Sequence, residues 1–252
     1  MFPWYDSNWL SIYLHAQSII KESNPKKLKT FTDALEPLKT RRDFEVVKIK
    51  KVFDEQRLNE LKDVIKNLDM GQKETHEIFR FGRLVVHDHP IFNKLQGAMT
   101  EMVSEMVKEE VESSYNFLSL YYNLGVCDIH MDSPQAKWTL DICIEQTINW
   151  KIYISQRQDW MENFEYTGQN WKEQILNDSN NRFTAYSLKP SDGIIFSGSS
   201  QWHYRKSLYR KNKQNHCYLI FFHFIPKGMK EIIKPQNWAK LFDIPELENL
   251  FQ

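Results

Sequence analysis

Tyr121-Tyr122-Asn123-Leu124-Gly125-Val126-Cys127-Asp128-Ile129-His130-Met131-Asp132-Ser133-Pro134 decides how the rest of this chain is read. Strand-like residues pass through a glycine-containing turn to a histidine and an aspartate two positions apart. In extended backbone, residues i and i+2 project to the same face. His130 and Asp132 therefore present an imidazole nitrogen and a carboxylate oxygen side by side. Such a pair suits adjacent positions on one metal ion, and it is also what a hydrogen-bonded loop produces. Downstream, the strand-like Gly193–Phe196 leads into Trp202-His203-Tyr204. His203 offers a third ligand, giving two histidines and one carboxylate that can bind one face of an ion and leave the other open.

Working outward, short strand-like runs follow one another after Ser114: Tyr115–Tyr122, Lys137–Ile144, Trp150–Ser155, Phe183–Leu188, Gly193–Phe196 and Cys217–Ile225. Strands without intervening helices indicate an antiparallel sandwich or barrel. Upstream, Phe44 to Phe53 is β-rich, and Leu58, Leu61, Val64, Ile65 and Leu68 then recur at helical spacing behind Asp54 as N-cap. Ile78 to Val86 reads as a further strand, and Pro90 opens a long amphipathic helix that buries Met99, Met102 and Met106. Lys26, Lys27 and Lys29 follow Asn24-Pro25 and read as a surface turn. The expectation is an α+β protein forming one structural unit. It has a helical and strand support region over 1–114, a β core over 115–228 and a helical tail over 229–252. The core is interrupted by a polar insertion at 156–182. Trp160, Phe164, Tyr166 and Trp171 make that insertion either a lid or a fixed excursion packed on the N-terminal helices.

Four segments, in order, resemble the Fe(II)/2-oxoglutarate-dependent dioxygenase superfamily: YYNLGVCDIHMDSP, KWTLDICI, LKPSDGIIFSGSSQWHYRKSL and CYLIFFHFIP. The likeness spans about Tyr115 to Pro226, under half of the chain, and its nearest subgroup is prolyl-hydroxylase-like. It implies a double-stranded β-helix core, jelly-roll or cupin-like, with N-terminal helices packed on it. It also implies Fe(II), 2-oxoglutarate as co-substrate and O2, with His130, Asp132 and His203 as both metal ligands and catalytic centre. Coupled decarboxylation of 2-oxoglutarate would then oxidise a small-molecule C–H bond, hydroxylation being the expected outcome. Halogenation is disfavoured by the presence of Asp132.

The family usually places a basic residue near the start of the last core strand to bind the co-substrate's distal carboxylate. Here that place holds Asn215-His216-Cys217. Arg205 is the first choice for this role and Arg210 the second, with Lys213 nearest the usual position. The alternative is a solvated basic loop from Arg205 to Lys213. Tyr121 or Tyr122 resembles the tyrosine that hydrogen-bonds the co-substrate.

Other readings remain beside this one: a non-catalytic metal- or ligand-binding β-helix protein, or an oxygenase directed at protein or nucleic acid. Among 252 residues, Lys+Arg 33 balance Asp+Glu 33, so no global attraction to nucleic acid or an anionic membrane exists. A small-molecule partner is expected, nucleic acid is disfavoured and the oligomeric state is not set. With 8 Gly and 9 Pro, low-complexity architectures are excluded, while 16 Phe, 8 Trp and 11 Tyr supply a large core. Three cysteines without a CxxC pair fit a reducing compartment. No signal sequence or membrane-length apolar run is seen, so a cytoplasmic location is expected. His87-Asp88-His89 has metal-like residues but sits where a helix cap is needed, and His223 reads as a core histidine with a backbone partner.

Overall fold

Alternation along the strands builds the core. In Cys217–Pro226, Ile220, Phe222 and Phe224 point to one side, and Cys217 and Leu219 to the other. Trp138–Gln146 divides in the same way, with Leu140 and Ile142 on one face and Thr139 and Asp141 on the other. Both faces of these strands are buried, which is why they read as nearly unbroken apolar runs.

The computed structural model describes residues 2–163, 165–211 and 213–250, so Phe164 lies outside the described residues. The helices are α1 (Trp9–Ser23), α2 (Pro25–Leu35), α3 (Glu55–Lys66), α4 (Ile78–Phe81), α5 (Pro90–Val107), α6 (Trp171–Asn177) and α7 (Trp238–Phe242). The strands are β1 (Val47–Ile49), β2 (Arg83–His87), β3 (Val111–Tyr121), β4 (Cys127–His130), β5 (Trp138–Gln146), β6 (Ile152–Ser155), β7 (Phe183–Tyr186), β8 (Gly193–Phe196), β9 (His203–Arg205) and β10 (Cys217–Pro226). They form two antiparallel sheets, one ordered β1-β8-β5-β10-β3-β2 and the other β4-β9-β6-β7. The protein is thus a mixed helix and antiparallel-sheet structure, as expected. No helix among the described residues is long and apolar enough to cross a membrane.

Two helices cover the outer face of the larger sheet. Asp54 caps α3 by accepting from the Arg57 amide at 2.7 Å, and Leu58, Leu61 and Ile65 turn inward. In α5, Phe92, Leu95, Met99, Val103 and Val107 form the buried stripe. Gln96 lies in that stripe yet is satisfied, since its Nε2 donates to the carbonyls of Tyr115 (2.9 Å) and His223 (2.7 Å). A second layer joins the two ends of the chain. Trp9 and Tyr13 of α1, Phe31 of α2 and Trp238 of α7 share one aromatic cluster.

Several local expectations are corrected. Ile78–Phe81 is a helical turn, and the strand begins only at Arg83. Gly82, at φ 65, ends the turn in the left-handed region, where a side chain would also overlap the Leu124 carbonyl. The lysines after Asn24 lie in the N-terminal half of α2, with Pro25 at its start, and Lys27 bonds the Phe242 carbonyl (2.9 Å) and the Asp243 carboxylate (2.8 Å). The insertion is packed down rather than free. Trp160 meets Trp9 at 5.5 Å and Tyr13 at 5.6 Å, Tyr166 stands edge-on to Trp202, and Ile175 is fully buried.

Candidate metal centre and its cavity

His130 closes β4 and His203 opens β9, and the two are partners in the register of the smaller sheet. Asp132 follows β4 and is fixed by its amide, which donates to the Gly198 carbonyl at 2.9 Å. One Asp132 oxygen, Oδ1, lies 3.3 Å from His130 Nε2 and 3.6 Å from His203 Nε2. One ligand atom from each of the three residues falls within 4.8 Å of the others. Local spacing and cross-strand pairing together bring these candidates to one point.

The hydrogen bonds fix which nitrogen is free. His130 Nδ1 lies 2.8 Å from the Asp128 carbonyl and His203 Nδ1 lies 2.9 Å from the Gln201 carbonyl. A carbonyl only accepts, so both Nδ1 atoms carry hydrogen, and each ring turns Nε2, the nitrogen a metal would take as ligand, toward the common point. Burial opposes the charge of Asp132, but His203 and His130 outweigh it and hold the carboxyl well below its ordinary range. Burial also opposes charge on His130, where Cys127 and Asp132 prevail and lift the imidazole upward. Two imidazole nitrogens and a carboxylate form a donor set suited to Fe(II).

The triad lies in the wall of a cavity of about 960 Å³. Arg205 reaches it and is buried, with Nη2 on Asp141 at 2.5 Å and Nη1 on the Trp150 carbonyl at 2.6 Å. Burial raises Asp141, and Arg205 only partly offsets this. Arg210 is corrected: it is exposed and bonds the carbonyls of Ser207 and Tyr209 within its own loop, away from the cavity. The two tyrosines separate. Tyr121 lines the cavity, whereas Tyr122 is 41% exposed and turns to Tyr218. Lys213 is exposed and outside the cavity wall.

Sequence reasoning missed Arg83. It stands opposite Tyr121 in the β2–β3 register, binds Glu77 through Nε, and places Nη1 2.7 Å from the Tyr121 hydroxyl and 3.1 Å from that of Ser119. Its place between a helical turn and a short strand gave no local signal. His223 is also corrected: its side-chain partner is the Thr139 hydroxyl, 3.1 Å from Nδ1, and it faces the cavity. Burial lowers its pKa to about 4. His89 precedes α5 without a side-chain cap, and His87 pairs with Glu74 at 2.7 Å.

No family model matches this sequence, and no curated protein matches it. Solved structures do. The non-heme α-ketoglutarate-dependent carbocyclase SnoK from nogalamycin biosynthesis aligns with a TM-score of 0.56 at 10% identity, over 78% of this chain and 87% of that one. HygX from Streptomyces hygroscopicus, with nickel, 2-oxoglutarate and hygromycin B bound, gives 0.51 at 9% identity over 73% and 83%. EctD from S. alaskensis, with 2-oxoglutarate and 5-hydroxyectoine, gives 0.51 at 11% over 71% of each chain. The fold is that of the non-heme 2-oxoglutarate-dependent oxygenases, and the His130-Asp132-His203 cluster lies within it.

Proposed function

We propose that this protein is an Fe(II)- and 2-oxoglutarate-dependent oxygenase that hydroxylates a C–H bond of a small molecule. His130, Asp132 and His203 hold the iron, and the strands from β3 to β10 form a double-stranded β-helix around it. The observation that carries this reading is the convergence of two imidazole Nε2 atoms and one carboxylate at the wall of a large cavity. SnoK, HygX and EctD share the fold, which supports it further. When bound, iron with 2-oxoglutarate and O2 supplies an oxidant able to attack an unactivated C–H bond, with succinate and carbon dioxide released.

The chain's own residues prepare that chemistry. The carbonyls of Asp128 and Gln201 lock both imidazole tautomers, and Gly198 seats Asp132. The distal carboxylate of 2-oxoglutarate falls to Arg83, Tyr121 and Ser119, where a guanidinium and two hydroxyls converge on the cavity side. Arg205 remains a second cationic wall, with both terminal nitrogens already engaged. The test is succinate release from 2-oxoglutarate with Fe(II) in air, alongside Fe(II) binding. Metal-dependent succinate formation is the expected result; its absence would overturn the proposal.

A further inference from the structure

Charge accounting around the cavity leaves one carboxylate over. Glu77 meets Arg83, Asp128 meets Lys172, and Arg205 meets Asp141. Asp6, an exposed residue, also lines the cavity and forms no salt bridge among the described residues. Its backbone is fixed beside the triad, because its amide donates to the Met131 carbonyl at 2.8 Å. Desolvation and the neighbouring Asp132 push its carboxyl upward, and His130, Arg83 and His203 offset this only in part. The remaining cation of the wall, Arg80, is exposed and lies over the Phe81 ring at 4.8 Å.

Three buried polar atoms on residues lining the same cavity lack partners among the described residues: Nε1 of Trp4, Nε2 of His223 and the hydroxyl of Tyr5, on residues 1%, 2% and 6% exposed. The imidazole is held firmly. Tyr115 stacks on it at 4.2 Å, Phe117 lies parallel at 5.4 Å, and Gln96 clamps the backbone carbonyls of both Tyr115 and His223 from behind. Because the rings lie against one another, their edges rather than their faces are turned to the cavity. Thr139 has one hydroxyl proton, and two acceptors lie within its reach, the Ala136 carbonyl at 3.4 Å and the Asp132 carboxylate at 3.5 Å. Nδ1 of His223 then donates to Thr139, leaving Nε2 as an acceptor. An unsatisfied buried acceptor of this kind is costly until a ligand donates to it.

We propose that the substrate is a small hydroxylated amine, its ammonium paired with Asp6 and a hydroxyl donating to His223 Nε2. The inference rests on the oxygenase reading of the same cavity and names the substrate class it takes. Tyr5 supplies a further polar contact for the hydroxyl-bearing part.

The test measures binding to the Ni(II)- and 2-oxoglutarate-loaded protein by calorimetry. The probes are glucosamine, ethanolamine and kanamycin, each beside its N-acetylated form, with glucuronate as the acidic control. The amines should bind at least about tenfold more tightly than their acetylated forms, in keeping with a charge-assisted contact. Asp6→Asn should erase that preference, and His223→Phe, which keeps an aromatic ring in the stack, should weaken the amines without reversing it. If no amine outbinds its acetylated form, or if glucuronate binds best, the proposal is overturned. Succinate release without an amine preference removes this inference alone. An amine preference without any succinate release removes the oxygenase reading and leaves the binding site standing.

Discussion

His130 and His203 are direct partners across β4 and β9, and each ties its Nδ1 to the carbonyl two residues before it. Their ring centres are 4.2 Å apart. The same local device, used once in each strand, turns both Nε2 atoms toward Asp132. Each ligand thus carries its own orienting contact in its own strand, and sheet pairing supplies the rest.

Replacing His130, Asp132 or His203 singly with Ala should abolish metal-dependent succinate release and sharply weaken Fe(II) binding. The fold should survive, since each side chain lies at the cavity wall. Metal titration together with circular dichroism checks both halves of this expectation.

Gly198 is a second test of the same point. A Cβ there would overlap Asp132 Oδ2 and come within 2.5 Å of the Ala136 carbonyl and 2.9 Å of Thr139 Oγ1. Gly198→Ala should displace the carboxylate and lower metal affinity by about 10–100-fold, the usual scale for disturbing a ligand's support. Unchanged Fe(II) affinity would show that Asp132 is not seated by this contact.

Arg83 and Arg205 should fail differently. Arg83→Ala should raise the apparent KM for 2-oxoglutarate, at a cost of about 2–5 kcal/mol for a lost buried charge contact. Arg205→Ala leaves Asp141 buried and uncompensated, so it should reduce unfolding stability by about 3–5 kcal/mol. Steady-state kinetics beside denaturant unfolding separate these outcomes. A larger KM effect at Arg205 would return the anchoring role to that residue.

His223 should make a measurable acid limb. Its pKa is about 4 in the fold against an ordinary value near 6.5, so the unfolded chain binds the proton more readily. Its contribution is intact above about pH 6.5 and is lost as pH falls toward about 4, by about 3 kcal/mol in full. In metal-free protein, His223→Phe should flatten stability against pH in that window relative to wild type. Parallel curves would contradict a depressed His223.

Much of the triad was legible in the sequence because its determinants are local. The i, i+2 spacing of His130 and Asp132 in extended backbone, and the strand before His203, need no knowledge of distant contacts. The unbroken apolar runs of β5 and β10 likewise report burial on both faces. Tertiary structure alone decided the surroundings. Arg83 joins Tyr121 through strand pairing, Asp141 claims Arg205 from the other sheet, and Tyr5 and Asp6 reach the triad through a short bridge to Met131. Tyr121 faces inward and Tyr122 outward because β3 ends at Tyr121 and the chain turns toward Gly125. Charge pairing and cavity walls depend on which distant segments meet, and residue spacing along one chain carries no record of that.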